Sequence, residues 1–209
     1  MNPVPFILLV ISLPLLLGGC GEKSNNNDEA KNTEEKQQEV KNEKTVAETQ
    51  IKLEGINVIE LEELEDIIYL KGSDVPYTGK AFKLYRNGMK NQKNYKDGKA
   101  EGLSVTWHKN GQRSAEGNFK NGKQDGLWVL WHENGKKRMK TNWKDGKEEG
   151  LQVGWYENGQ KDREFNYKEG EPDGSWTVWW KNGQKQSETI WKDGIPVSTK
   201  EWNEKGNRF

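Results

Sequence analysis

Few side chains in this 209-residue chain could do chemistry, and their spacing is unusual. There is one thiol, Cys20, and there are two imidazoles, His108 and His132, 24 residues apart. A repeat spacing of that length puts equivalent strand residues about 10 Å from each other. A zinc ion holds nitrogen at about 2.0–2.1 Å, so one ion does not take both histidines. They read instead as two solvent-facing residues near turns. No Gly-x-Ser-x-Gly, phosphate loop or zinc-protease motif is present. Glu148, Glu149 and Asp173 could be imagined as an acid and a base, but they flank glycines and read as polar turn residues. The expectation is a protein that is not an enzyme, with no catalytic residue, no metal and no cofactor.

Two other sets recur with the same spacing. Lys96, Lys120, Lys144, Lys168 and Lys192 each precede a turn signal, and Lys99, Lys123 and Lys147 follow three of those turns. One reading is a basic rail for an anionic polymer or head group. The other is turn solubility and edge protection, since lysine at a sheet margin blocks unwanted pairing. Trp107, Trp131, Trp155 and Trp179, with Trp202 one residue short of that spacing, form an aromatic row with Phe119, Trp143, Tyr167 and Trp191. That row reads as the sheet's own packing, which a chain of mean hydropathy −1.11 needs. Trp128, Trp176 and Trp180 lie off that face and are the aromatic candidates for exposed contact.

The elements that position these residues follow from the repeat. Asn-Gly recurs at Asn87, Asn110, Asn134, Asn158 and Asn182, and a second turn signal at Asp97, Asn121, Asp145, Glu169 and Asp193. Self-similarity at a fixed period marks a repeat architecture. Each unit is two alternating runs separated by turn signals, which predicts two short strands per unit. Several glycines per unit and no long helical run exclude helices. A three-residue loop, Glu133-Asn134-Gly135, pairs His132 with Lys136, as a type I turn followed by a glycine in the left-handed region. Regular pairing onward would put Leu127, Val129 and Trp131 on one face with Met139, Thr141 and Trp143. The expected fold is all-β: an elongated, twisted antiparallel meander of stacked 24-residue hairpins with one main apolar face.

The pattern Gly-x-x-x-x-Trp-x-x-Asn-Gly, followed by an aromatic, Lys, Asp-Gly-Lys and an acid-Gly pair, resembles the MORN-variant repeat. That repeat occurs in bacterial proteins of the YwqK-type antitoxin-like family. The resemblance runs from Val75-Pro76-Tyr77-Thr78-Gly79 to the C-terminus. It implies a binding scaffold, and its family label suggests an antitoxin or immunity role.

Ahead of the repeats (79–209) the chain divides into three parts. Residues 1–19 carry an apolar stretch from Phe6 to Leu17, too short to span a bilayer comfortably. It ends in Leu17-Gly18-Gly19-Cys20, which resembles a bacterial lipobox. That resemblance implies cleavage before Cys20 and lipid, including palmitate, on the new terminus. Met1 to Pro5 contain no Lys or Arg, a departure from the usual signal. Gly21, rather than Asp, favours the outer membrane in a two-membrane host. Residues 20–50 hold many Glu, Lys, Asn and Gln and no aromatic, a composition suited to a disordered linker. Residues 51–78 read as N-terminal capping strands, with a strand at 66–71.

A formal charge of zero hides an asymmetry. Residues 21–78 hold 7 basic and 15 acidic side chains, net −8, and residues 79–209 hold 26 and 18, net +8. That concerns partners rather than fold. The expected role is a membrane-anchored, non-enzymatic scaffold of the bacterial envelope, binding another protein or an anionic envelope polymer. The alternatives are an antitoxin-like lipoprotein that neutralises a toxin, or an envelope glycan-binding accessory. Nucleic acid is not an expected partner for an exported chain, and the oligomeric state is left open.

Overall fold

A computed structural model describes residues 51–209. The expected signal peptide, Cys20 and the expected linker lie outside the described residues. Consecutive antiparallel strands run Gly79–Leu84, Lys90–Lys96, Lys99–Trp107, Arg113–Lys120, Lys123–Trp131, Lys137–Lys144, Gly150–Trp155, Lys161–Lys168, Glu171–Trp179, Lys185–Lys192 and Ile195–Glu201. They form one sheet in chain order. Its first strand, Ile56–Asn57, pairs parallel with Gly79–Leu84. The hairpin Leu61–Leu64 with Ile67–Leu70 forms a separate small sheet. It rests on the Asp97-Gly98 turn, where the Ile68 amide donates to the Gly98 carbonyl at 2.9 Å.

The two turn signals fold differently. At Asn-Gly the His132 amide donates to Lys136 O at 2.9 Å and the Gly135 amide to His132 O at 3.0 Å. Gly135 has φ 78°. This is the three-residue loop read from the sequence, and Gly111, Gly159 and Gly183 share the positive φ. The second signal makes two-residue turns. Asp145 and Gly146 have φ 51° and 82°, and Lys144 pairs directly with Lys147. Positive φ at both central residues is the type I′ geometry that suits strand twist.

The asparagines at Asn110, Asn134, Asn158 and Asn182 have two roles. The Asn110 side-chain oxygen accepts from the Gln112 amide, while its Nδ2 donates to Glu133 O of the next turn at 2.7 Å. Asn134, Asn158 and Asn182 repeat both bonds. The amide side chain therefore links turn to turn, which aspartate could not do, having no donor.

The expected grouping of faces is corrected by a β-bulge. Trp131 pairs with Lys137, but Leu130 pairs with Met139, so Arg138 is an extra residue. One inserted residue exchanges the faces beyond it. Met139, Thr141 and Trp143 therefore share a face with Leu130, Trp128 and Gly126, not with Leu127, Val129 and Trp131. The same shift occurs at Ser114, Asp162 and Gln186. The first hairpin pairs without a shift.

Two faces result. An aromatic face carries Phe119, Trp128, Trp143, Phe165, Tyr167, Trp176 and Trp191. A leucine face carries Leu103, Leu127 and Leu151, which are 45, 42 and 45% exposed, together with the Trp107–Trp131–Trp155–Trp179 row. The two aromatic rows thus lie on opposite faces instead of on one. Among the described residues the buried apolar side chains are Ala81 and Ala100, and the buried polar ones are Ser104, Thr141, Gln152 and Thr177. The sheet is a single layer whose large side chains pack along it.

On the leucine face the bulge also creates ion pairs. Residues i and i+3 of a regular strand point to opposite faces. The extra residue brings them together in Arg113–Glu116, Lys161–Glu164 and Lys185–Glu188. Lys161 and Lys185 also lie over the rings of Trp179 and Trp202 at 5.6 and 5.9 Å. These exposed contacts contribute well under about 1 kcal/mol each.

Candidate functional site

The type I′ turns form one margin of the sheet and carry the lysine set. Lys96 pairs across its turn with Lys99, Lys120 with Lys123, and Lys144 with Lys147. Lys168 faces Glu171, and Lys192 faces Ile195. Strand alternation puts these lysines on the leucine face. Acids interleave with them. Glu101 accepts from the Asn121 amide at 2.8 Å and Glu149 from the Glu169 amide at 2.9 Å, each bracing the next turn. Open grooves between successive turns are lined by both signs, as at Lys123, Lys144, Lys147 and Lys168 with Asp145 and Glu149. The margin is therefore a row of cations crossed by carboxylates.

The three off-row tryptophans are placed differently from expectation. Trp128 and Trp176 are half-buried on the aromatic face. The Trp128 ring packs edge-on to Phe119 at 5.2 Å and covers Gly117, where an added Cβ would come within 2.1 Å of it. The Trp176 ring stacks on Phe165 at 4.2 Å and 16° and lies 5.1–5.2 Å from Tyr167 and Trp191. Their indole N–H groups donate to Asn118 O at 3.1 Å and Asn166 O at 2.8 Å. Both acceptors stand where the strand register shifts. A bulge interrupts the ladder, and the indoles supply donors there. These two residues hold the sheet together rather than projecting from it.

Trp180 belongs to a third set. His108 Nε2 lies 2.9 Å from Trp131 O and His132 Nε2 2.8 Å from Trp155 O. Tyr156 Oη donates to Trp179 O at 2.7 Å, and Trp180 Nε1 to Trp202 O at 3.1 Å. These four rings occupy one repeat position, and each bonds to the next unit's tryptophan carbonyl. The histidines are therefore inter-unit links and not the solvent-facing residues expected. The signal available was that His, Tyr and Trp, which share a ring donor, recur at 108, 132, 156 and 180.

Titratable groups on the aromatic face feel its partial burial. The Lys93 ammonium lies 4.4 Å from the Phe119 ring, and burial pushes its pKa down. Glu148 accepts from Gln152 Nε2 at 2.7 Å. Burial holds its carboxyl above the ordinary value, and the Gln152 bond opposes that in part. A carboxyl raised in the folded state binds its proton more tightly there than in the unfolded chain. Its contribution to stability is therefore greatest in acid and is lost as pH rises from about 4 through the raised value. Glu148→Gln is expected to raise Tm at pH 7 and leave it unchanged at pH 3. A Tm increase equal at both pH values would contradict this.

A search of curated proteins found no significant match to this chain. The family model described as MORN repeat variant matches residues 100–121, 124–145, 148–169 and 172–193. Each match opens just after one type I′ turn and closes on the next, so it spans one bulged hairpin of the sheet.

Proposed function

Residues 100–193 being four tandem MORN repeat variants, we propose that this chain is a non-enzymatic binding scaffold of the bacterial envelope, anchored through lipid on Cys20. Its partner is another protein or an anionic envelope polymer, met along the lysine margin. The observation that carries this reading is the register of the type I′ turns. Lysine stands directly opposite lysine at three successive turns. Like charges opposite each other weaken a strand pair, so a cost is repeated where the fold alone would favour an opposite charge. A row of exposed cations suits an extended anion, each contact being weak and the contacts adding along its length.

Retention of the purified full chain on immobilised polyanion tests the margin. Changing Lys120, Lys144 and Lys168 together to Gln is expected to reduce capture several-fold at low salt and to matter little at about 0.5 M salt. Unchanged capture at low salt would remove the lysines from the role. The anchor is tested by fractionating cells that carry Cys20→Ser. The wild type is expected in the detergent phase and the variant in the aqueous phase. Identical partitioning would refute lipid on Cys20.

A further inference from the structure

One group of charged side chains breaks the repeat without any need of the fold. At the bulge position stand Ser114, Arg138, Asp162 and Gln186, and next to them Ala115, Met139, Arg163 and Ser187. Opposite the second set are Thr106, Leu130, Gly154 and Val178. In one unit alone a glycine faces an arginine. The two belong together: an added Cβ at Gly154 would lie 2.9 Å from Arg163 Cγ and 3.0 Å from its Nε. Leu130 against Met139 shows that the same space can be filled without charge.

Arg163 remains 44% exposed and binds Asp162 through Nη2 at 2.7 Å and Nε at 3.1 Å. With Arg138, His132, Tyr156 and Lys181 these two residues line an open cleft beside the Asn-Gly turns, across the sheet from the lysine margin. Lys181 Nζ stands 5.9 Å from the Tyr156 ring centre. Arg138 and Lys181 form no ion pair among the described residues, so two cations here have no carboxylate partner. Glu157 adds a second acid. The lining has no aliphatic side chain; its apolar surface is aromatic, from Trp155 and Tyr156, and the His132 and Tyr156 rings bond to the next unit. Acids and bases beside aromatic surface suit a sugar, whose hydroxyls meet the polar groups and whose C–H face meets a ring, and the excess of cations suits a carboxylate upon it.

We propose that the cleft at Arg138, Arg163 and Lys181 binds the carboxylate of an acidic polysaccharide, with Asp162 accepting from neighbouring hydroxyls. This deepens the envelope-scaffold reading and rests on it, but it uses residues separate from the lysine margin. A guanidinium meets a carboxylate through paired N–H donors, so this contact resists salt better than exposed lysines do.

The test is calorimetric titration of the purified full chain with oligogalacturonate at about 0.5 M salt, where the lysine margin is screened. Arg138→Ser with Arg163→Met copies residues of equivalent units, and an unchanged melting curve shows that the sheet is intact. Lys181→Glu, which copies Glu133 and Glu157, is the second variant. Each is expected to weaken binding about tenfold or more, while the triple lysine-to-glutamine variant binds as the wild type does. Equal affinity in the arginine variant would overturn the proposal, as would a neutral glucan bound as tightly as oligogalacturonate. Polyglutamate bound more tightly would assign the cleft to acidic peptide and overturn it as well. Failure of oligogalacturonate to bind, with polyanion capture at low salt retained, would overturn the cleft and leave the scaffold reading standing. Loss of both would end both.

Discussion

Trp176→Ala should destabilise the sheet by about 2–3 kcal/mol. Full burial of a tryptophan sets the upper end of such changes at about 3–5 kcal/mol, and this ring is only half-buried. It nevertheless has three aromatic neighbours, Phe165, Tyr167 and Trp191. Such pairs contribute about 0.5–1.5 kcal/mol each beyond area burial. Truncation also removes the donor to Asn166 O at a step where the ladder is already interrupted. Trp176→Phe should restore the stacking and not the hydrogen bond, leaving a loss of about 1 kcal/mol. Urea unfolding would measure both. Hydrogen exchange should place the loss in Lys161–Lys192, since a repeat array transmits little beyond nearest neighbours. A variant as stable as the wild type would return Trp176 to the role of a free contact residue.

Gly117→Val should cost about 2–3 kcal/mol for a different reason. Gly117 is not at positive φ, so no backbone strain is involved. An added Cβ would sit 2.1–2.4 Å from three atoms of the Trp128 indole, which therefore has to move. Overpacking of this kind costs about 1–3 kcal/mol, and the displaced ring also gives up its contact with Phe119 and its bond to Asn118 O. Ser104 and Gln152 occupy the equivalent position in the neighbouring units. Trp128→Gln combined with Gly117→Val should therefore be more stable than the two single losses added together. Strict additivity in that double-mutant cycle would show that the two residues do not meet.

These residues show what a period of 24 reveals and what it conceals. The loop at Glu133-Asn134-Gly135 was legible because Asn-Gly restricts the turn to a few geometries, and the Gly135 φ of 78° agrees with the one chosen. The assignment of faces was not legible because the bulge at Arg138 lies one pair beyond that loop. Nothing in an alternating run marks an extra residue. The comparison that reveals it is between units: Asn87 to Asp97 is one residue shorter than Asn110 to Asn121, and only the shorter hairpin pairs without a shift. The same error made Trp128 and Trp176 look like free contacts. The lysines recur with the period and were legible in the sequence, but the carboxylates between them were not, because Glu101 and Glu149 reach the neighbouring turns only through the fold. The cleft at Arg163 was not legible because its sign is a departure from the repeat, and a period marks only what recurs.

Which side chains a partner can meet depends on which face each residue occupies, so the bulge is the point on which the account turns. Proton–proton contacts in the Lys123–Lys144 hairpin measure it directly. The pairing of Trp128 with Thr141 and Leu130 with Met139 predicts strong contacts from the Thr141 methyl to the Trp128 ring and none to the ring of Trp131. Contacts from that methyl to Trp131 and not to Trp128 would contradict the account and exchange the two faces.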